Sequence, residues 1–194
     1  CGDCYEDWDG ADPSGLCNQI CDFGFEYIEI IPNNIVSNSN CFSQENIEVI
    51  HNIIDENALD ISTFNDFGTQ RWYNGEIINL HALNMDLEII PESIGQLNQL
   101  IILDISNNNI SSLPNSLWQM SGLNSLHIED NSLTEIPPDI SALENLQGLY
   151  LRNNNINSIP NEIWNLPNLN GFYISGNNVS GEISPEIINA QSLI

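Results

Sequence analysis

A 23-residue period runs through the second half of the chain, and few folds accommodate such a period. The segment from Leu97 to Gln119 reads LNQLIILDISNNNISSLPNSLWQ. A shift of 23 gives MSGLNSLHIEDNSLTEIPPDISA from Met120 to Ala142, and a second shift gives LENLQGLYLRNNNINSIPNEIWN from Leu143 to Asn165. A fourth copy, LPNLNGFYISGNNVSGEISPEIIN, occupies 166–189 with one residue inserted near Gly181. A weaker first copy, NGEIINLHALNMDLEIIPESIGQ, fills 74–96, and 190–194 begin a further one. One copy cannot bury its own apolar face, so a period of this length predicts stacked units sharing a continuous core.

Each copy carries its own structural instructions. Leu103 and Ile105 alternate with Ile102, Asp104 and Ser106, which predicts a short strand with one buried face. The same register places strands near 78–82, 101–105, 124–128, 147–151 and 170–174. Asn108 recurs as Asn131, Asn154 and Asn177 where the chain must leave the strand. An inward amide there can bond the backbone groups that the turn leaves unpaired, so stacked copies would form an Asn ladder. Leu113-Pro114, Ile136-Pro137 and Ile159-Pro160 fix an extended return segment, and Leu117, Ile140 and Ile163 close the core behind it.

This pattern resembles the leucine-rich-repeat family, in the form L-x-x-L-x-x-L-x-L-x-x-N-x-L-x-x-I-P-x-x-I found in plant receptor ectodomains and bacterial surface proteins. The resemblance covers 74–194. It implies an α/β solenoid: a right-handed horseshoe with one parallel β-sheet and a cysteine-containing, helical N-terminal cap. Two departures fall near the ends of the array, Met85 for the ladder Asn and Ser184 for the Pro, as expected of atypical terminal copies. In this family the concave sheet face usually carries recognition. Its outward columns here are Asn79, Ile102, Ser125, Gly148 and Gly171; His81, Asp104, His127, Tyr150 and Tyr173; and Leu83, Ser106, Glu129, Arg152 and Ser175. The middle column, with Glu129 and Arg152 beside it, is the candidate binding stripe; an ordinary solvated face is the alternative. His81 and His127 flank Asp104 closely enough for each to reach it. No second acid joins that column, so no metal is assigned.

Ahead of the repeats, Ser43 is positioned to cap a helix from Gln44 to Glu56 with Ile47, Ile50 and Ile54 on one face. Asn74-Gly75 signals a turn, and Trp72 and Tyr73 are expected to lie as lids on the first repeat's core. The helix and Trp-containing stretch, residues 43–73, resemble the caps of plant and bacterial repeat proteins, leaving 1–42 as a separate cysteine-bearing segment. All five cysteines, Cys1, Cys4, Cys17, Cys21 and Cys41, lie in the first 41 residues. Clustered so, they predict disulfides formed in an oxidising compartment, with a four-thiolate zinc site as the weaker alternative. An odd count leaves one thiol over. Cys1 stands where a bacterial lipoprotein carries its lipid; an intermolecular disulfide and a fragment beginning there are the rival readings. Cys4, Cys17, Cys21 and Cys41 would then pair among themselves. Asp7, Asp9 and Asp12 have calcium-like spacing but lack a late bidentate Glu, so calcium is a weak expectation and no other cofactor is expected.

Charge excludes some functions. The 194 residues hold 27 acids, two arginines (Arg71 and Arg152) and no lysine, a formal net charge of -25. Such a chain repels phosphate backbones and anionic membranes, so nucleic acid is not a partner, and a membrane is reached only through a lipid anchor. The excess acid reads as solubility in salt or as capture of a basic partner. No Ser-His-Asp set, Cys-His pair or phosphate loop is visible, and no apolar run is long enough to cross a bilayer. The expected function is an extracellular or cell-surface module that binds a protein or glycan on its concave face, not an enzyme. The alternative is a structural subunit that self-associates through its solenoid ends, because the last copies present Leu169, Phe172, Ile174 and Ile187 at an edge. Two sequons, at Asn109 and Asn178, follow from the repeat pattern.

Overall fold

The computed structural model describes residues 25–27, 31, 33–37, 40–180 and 185. The expectations for Cys1, Cys4, Cys17 and Cys21, for Asp7, Asp9 and Asp12, and for the repeat begun at 190–194 lie outside these residues. Strands β1 (Phe25–Tyr27), β2 (Ile35–Ser37) and β3 (Cys41–Ser43) precede helix α1 (Gln44–Glu56). Strands β4 (Thr69–Tyr73), β5 (Glu76–His81), β6 (Ile102–Asp104), β7 (Ser125–His127), β8 (Gly148–Tyr150) and β9 (Gly171–Tyr173) follow. One seven-stranded sheet runs in the order β2-β4-β5-β6-β7-β8-β9. From β5 to β9 every pairing is parallel and in register, so Leu80, Leu103, Leu126, Leu149 and Phe172 align across the strands.

The core is a stack of apolar rows, one residue per repeat. Leu103, Leu126 and Leu149 are fully buried, as are Ile110, Leu117, Leu123, Ile140 and Leu146. Each such side chain contributes roughly 1.5–3 kcal/mol by leaving water. Short 3-10 turns at Glu92–Gln96, Leu117–Gln119, Pro138–Ala142 and Asn161–Asn165 return the chain along the side opposite the sheet.

Between strand and return, the ladder asparagines repeat one pattern of bonds. Nδ2 of Asn108, Asn131, Asn154 and Asn177 donates to the preceding repeat's carbonyl at Ala82, Ile105, Ile128 and Leu151, at 2.8–3.0 Å. Their Oδ1 atoms accept from the backbone N–H of Leu87, Ile110, Leu133 and Ile156, at 2.9–3.0 Å. The residue before each ladder Asn has a left-handed backbone: Asn107, Asp130, Asn153 and Gly176, with φ between 53° and 74°. That conformation costs other residues energy and is tolerated by Asn, Asp and Gly. At Gly176 a Cβ would collide with Asn153 Oδ1.

The cap continues the repeat sheet. Ser43, the last residue of β3, caps α1 by accepting from the N–H of Asn46 at 3.4 Å, so β3 runs across the boundary expected between 42 and 43. The helix buries Ile47, Val49, Ile50, Ile53 and Ile54. Strands β4 and β5 form an antiparallel hairpin turned by Asn74 and Gly75, both with positive φ, the geometry that two-residue hairpin loops favour. Trp72 is buried and meets Phe42 edge-on at 4.9 Å between ring centroids. Tyr73, expected beside it as a second lid, is 57% exposed. Successive strand residues point to opposite faces, so burying Trp72 turns Tyr73 outward. Gln70 is fully buried, donating to the carbonyls of Phe64 and Phe67 and accepting from Trp72 Nε1 at 2.6, 2.7 and 2.9 Å. Cys41 is disulfide-bonded.

Replacing Asn131 with Ala leaves the Ile110 N–H and the Ile105 carbonyl without this partner. Urea melts should show a loss of about 1–3 kcal/mol, the cost of stranding buried backbone groups; a change below about 0.3 kcal/mol would be incompatible with the ladder's role.

Candidate binding surface

Parallel pairing in register turns sequence columns into rows of side chains across the sheet. His81, Asp104, His127, Tyr150 and Tyr173 occupy one such row on neighbouring strands. His81 Nδ1 lies 3.6 Å from Asp104 Oδ2, and Asp104 Oδ1 accepts from the N–H of Ser106 at 3.1 Å. His127 makes no ion pair with Asp104 among the described residues. Its Nε2 instead bonds Ser125 Oγ at 2.8 Å, and its ring stacks on Tyr150 at 4.0 Å and 5°. Only one of the two flanking histidines therefore pairs with the aspartate. No group of three metal-ligating side chains occurs among the described residues.

Tyr150 in turn stacks on Tyr173 at 4.7 Å and 10°. Both faces of the Tyr150 ring are covered, and the rings stand on edge over their strands. Two glycines make room for them: a Cβ at Gly148 would meet Tyr150 Cε2 at 2.8 Å, and one at Gly171 would meet Tyr173 Cε2 at 3.1 Å. Arg152 finishes the stack. Its Cζ sits 4.8 Å from the Tyr173 ring centroid, and Nη1 is 3.8 Å from Glu129 Oε1. An exposed ion pair contributes at most about 1 kcal/mol and a cation over an exposed ring about 0.5–1 kcal/mol, so this pair orients the guanidinium more than it stabilises the fold.

Burial in the stack lowers the His127 pKa; Asp104 and Glu129 oppose the shift, and His81 adds to it. A histidine whose folded pKa is depressed stabilises the fold above its unfolded value, and that contribution is lost as pH falls through the folded one.

The surface also extends beyond the columns expected from the repeats. In β4, Thr69 pairs with His81 and Arg71 with Asn79, while Val36 of β2 pairs with Arg71. Gln70 and Trp72 point into the core and Thr69 and Arg71 point out, so two cap strands lengthen the outward face. The alternation T-Q-R-W-Y is the strand signal that marks this extension. The charged residues of these outward columns are then Arg71, Asp104, Glu129 and Arg152, two of each sign. The chain's only two cations stand here, and among the described residues every acid other than Asp104 and Glu129 lies outside these columns.

Two matches to a family model described as leucine rich repeat cover residues 84–133 and 121–179. This chain is a leucine-rich-repeat protein. Its repeats resemble a leucine-rich-repeat protein of Leptospira interrogans at 31% identity, over 64% of this chain and 30% of that one, with a TM-score of 0.56. They also resemble a chain of the BIR3–SERK2 complex from Arabidopsis thaliana, at 32% identity over 59% of this chain and 63% of that one, with a TM-score of 0.54. The ectodomain of the receptor kinase SOBIR1 from Arabidopsis thaliana shares the fold at 23% identity, over 79% of this chain and 90% of that one, with a TM-score of 0.65. The chain thus spans less than two thirds of the first two. No curated protein sequence matches it significantly. In this leucine-rich-repeat protein, the aromatic stack belongs to the strand positions that point away from the core.

Two measurements test the site. The His127 imidazole should titrate by NMR with a midpoint below the ordinary value near 6.5, and His127→Phe should flatten the fall in stability as pH drops below that value; an unshifted midpoint would contradict burial in the stack. Gly148→Val should displace the Tyr150 ring and reduce the near-ultraviolet circular dichroism of the stacked tyrosines. An unaltered spectrum would show that the glycine is not what seats the ring.

Proposed function

We propose that this protein is an extracellular or cell-surface binding module that holds a protein partner on the outward face of its sheet. The observation that carries the reading is the composition of that face. It is neutral within a chain of net charge -25, and it gathers Tyr150, Tyr173, His127 and both arginines. Specific interfaces are depleted in charge at their centre and enriched in Tyr and Arg. A partner can meet these columns without meeting the acids that the described residues carry elsewhere.

Leucine-rich-repeat ectodomains commonly bind proteins, and the fold is typically a scaffold rather than a catalyst; the BIR3–SERK2 structure is itself a complex. Ring orientation favours a polypeptide over a glycan. A sugar packs its C–H face on a free aromatic face, whereas both faces of Tyr150 are occupied by His127 and Tyr173. The stack offers ring edges and hydroxyls, which suit backbone amides and side chains. Among the described residues no helix is long and apolar enough to cross a membrane. Attachment through Cys1 and calcium at Asp7, Asp9 and Asp12 depend on residues outside those described; of the edge invoked for end-to-end assembly, Ile187 also lies outside them, while Leu169 is buried and Phe172 and Ile174 are half-buried.

A photo-crosslinker placed at position 173 should capture a protein from the native surroundings, and one at Glu144, on a 3-10 side of the solenoid, should not. Equal capture at both positions, or none at 173, would overturn the reading. With the captured partner in hand, Tyr150→Ala and Tyr173→Ala should each weaken binding roughly tenfold or more while costing the fold no more than about 1 kcal/mol.

A further inference from the structure

Arg71 and Arg152 are the only cationic side chains in a chain without lysine, and both point from the same sheet face. Their surroundings differ. Arg152 is already engaged by Glu129 and by the Tyr173 ring. Arg71 is exposed and has no ion pair among the described residues. Its neighbours in register are Asn79 and Val36, and Val36 is 59% exposed.

The nearest acid in the outward columns is Asp104, two strands across and two residues along, about 12 Å by sheet spacing. At 0.1 M salt that is just over one Debye length, and Asp104 is itself occupied by His81 and the Ser106 N–H. Among the described residues, no acid of the outward columns therefore stands directly beside Arg71. A composition that excludes cations elsewhere gives this one no role in solubility.

We infer that Arg71 anchors an acidic side chain of a polypeptide segment laid across the outward sheet face. The planar guanidinium fork matches a carboxylate in a two-point pairing that a lysine could not make. A basic side chain would meet Arg71 as a like charge. The exposed Val36 beside it gives a polypeptide apolar surface to cover, which a small free anion would leave wet. This assignment rests on the outward face being the binding surface, as proposed above.

The test is selection of a displayed random dodecapeptide library on the full chain, followed by affinity measurement on variants. Selected peptides should carry an Asp or Glu whose replacement by Lys abolishes binding. Arg71→Glu should weaken them roughly tenfold or more, and the Lys-substituted peptide should regain affinity for that variant. Arg71→Gln, which keeps the length without the charge, should also bind weakly, and thermal melts should show both variants folded. Peptides that need Tyr150 but bind Arg71→Glu as well as the parent overturn this inference alone. Failure to select any peptide that needs either Tyr150 or Arg71 overturns both it and the reading it rests on.

Discussion

The ladder amide sets the geometry on which the rest of this molecule depends. At each repeat the chain must leave a strand and turn back, exposing backbone groups inside an apolar stack. One Asn side chain accepts from an N–H of the return segment and donates to a carbonyl of the preceding repeat, so it joins its own turn to its neighbour. The left-handed residue just before it aims that side chain inward. Because each amide reaches back by one repeat and no further, adjacent copies cannot slip, and the strands align in register. A slip of one residue would turn Leu103, Leu126 and Leu149 out to solvent and the outward column into the core.

In-register strands also explain the aromatic stack. Neighbouring strands lie about 4.8 Å apart, and the His127, Tyr150 and Tyr173 rings are separated by 4.0 and 4.7 Å. One aromatic per repeat at the same column is thus brought close to stacking distance by the backbone alone. What remains is to stand the rings upright, and Gly148 and Gly171 do so by leaving bare backbone beneath them. The surface is rigid because the same ladder that forms the core spaces its groups. A partner then meets edges and hydroxyls already in place, and little ordering entropy remains to oppose binding.

Much of this is legible in the sequence because the repeat is a strong constraint: once Leu103 and Ile105 are inward, every column follows. The helix from Gln44 to Glu56 is legible too, from Ser43 and an isoleucine face. Side-chain choices between alternatives of similar energy are not legible. His127 has both Asp104 and the Ser125 hydroxyl within reach by spacing, and it takes the hydroxyl and the Tyr150 ring. Tyr73 departs from its expected place because strand alternation outweighs its position beside Trp72. Arg71 escapes a reading based on the repeats for a related reason. T-Q-R-W-Y is more than a segment covering the first repeat: it adds a strand to the repeat sheet, and that strand brings the second cation onto the face. Gly148 and Gly171 stand in the column that spacing assigns them, but only the ring contacts in three dimensions reveal what they leave room for.

The cap takes over the role of a preceding repeat. The first copy has Met85 where the others have Asn, and the cap supplies amides of its own at that end. Asn57, at the end of α1, accepts from the N–H groups of Glu88 and Ile89 and donates to the Ile89 carbonyl at 2.7–2.9 Å. Asn46 accepts from the Ile77 N–H at 2.9 Å while itself buried in the cap. Helix and first repeat are therefore joined by directional bonds as well as by apolar contact, and the outward face continues from the repeats into β4 without a hinge. Arg71 and Tyr173 then sit on one rigid surface, five strand intervals or about 24 Å apart. An extended segment of about seven residues spans that distance. The cap thereby fixes both the length of the face and the charge at one end of it, a pair of constraints that a repeat array alone would leave open.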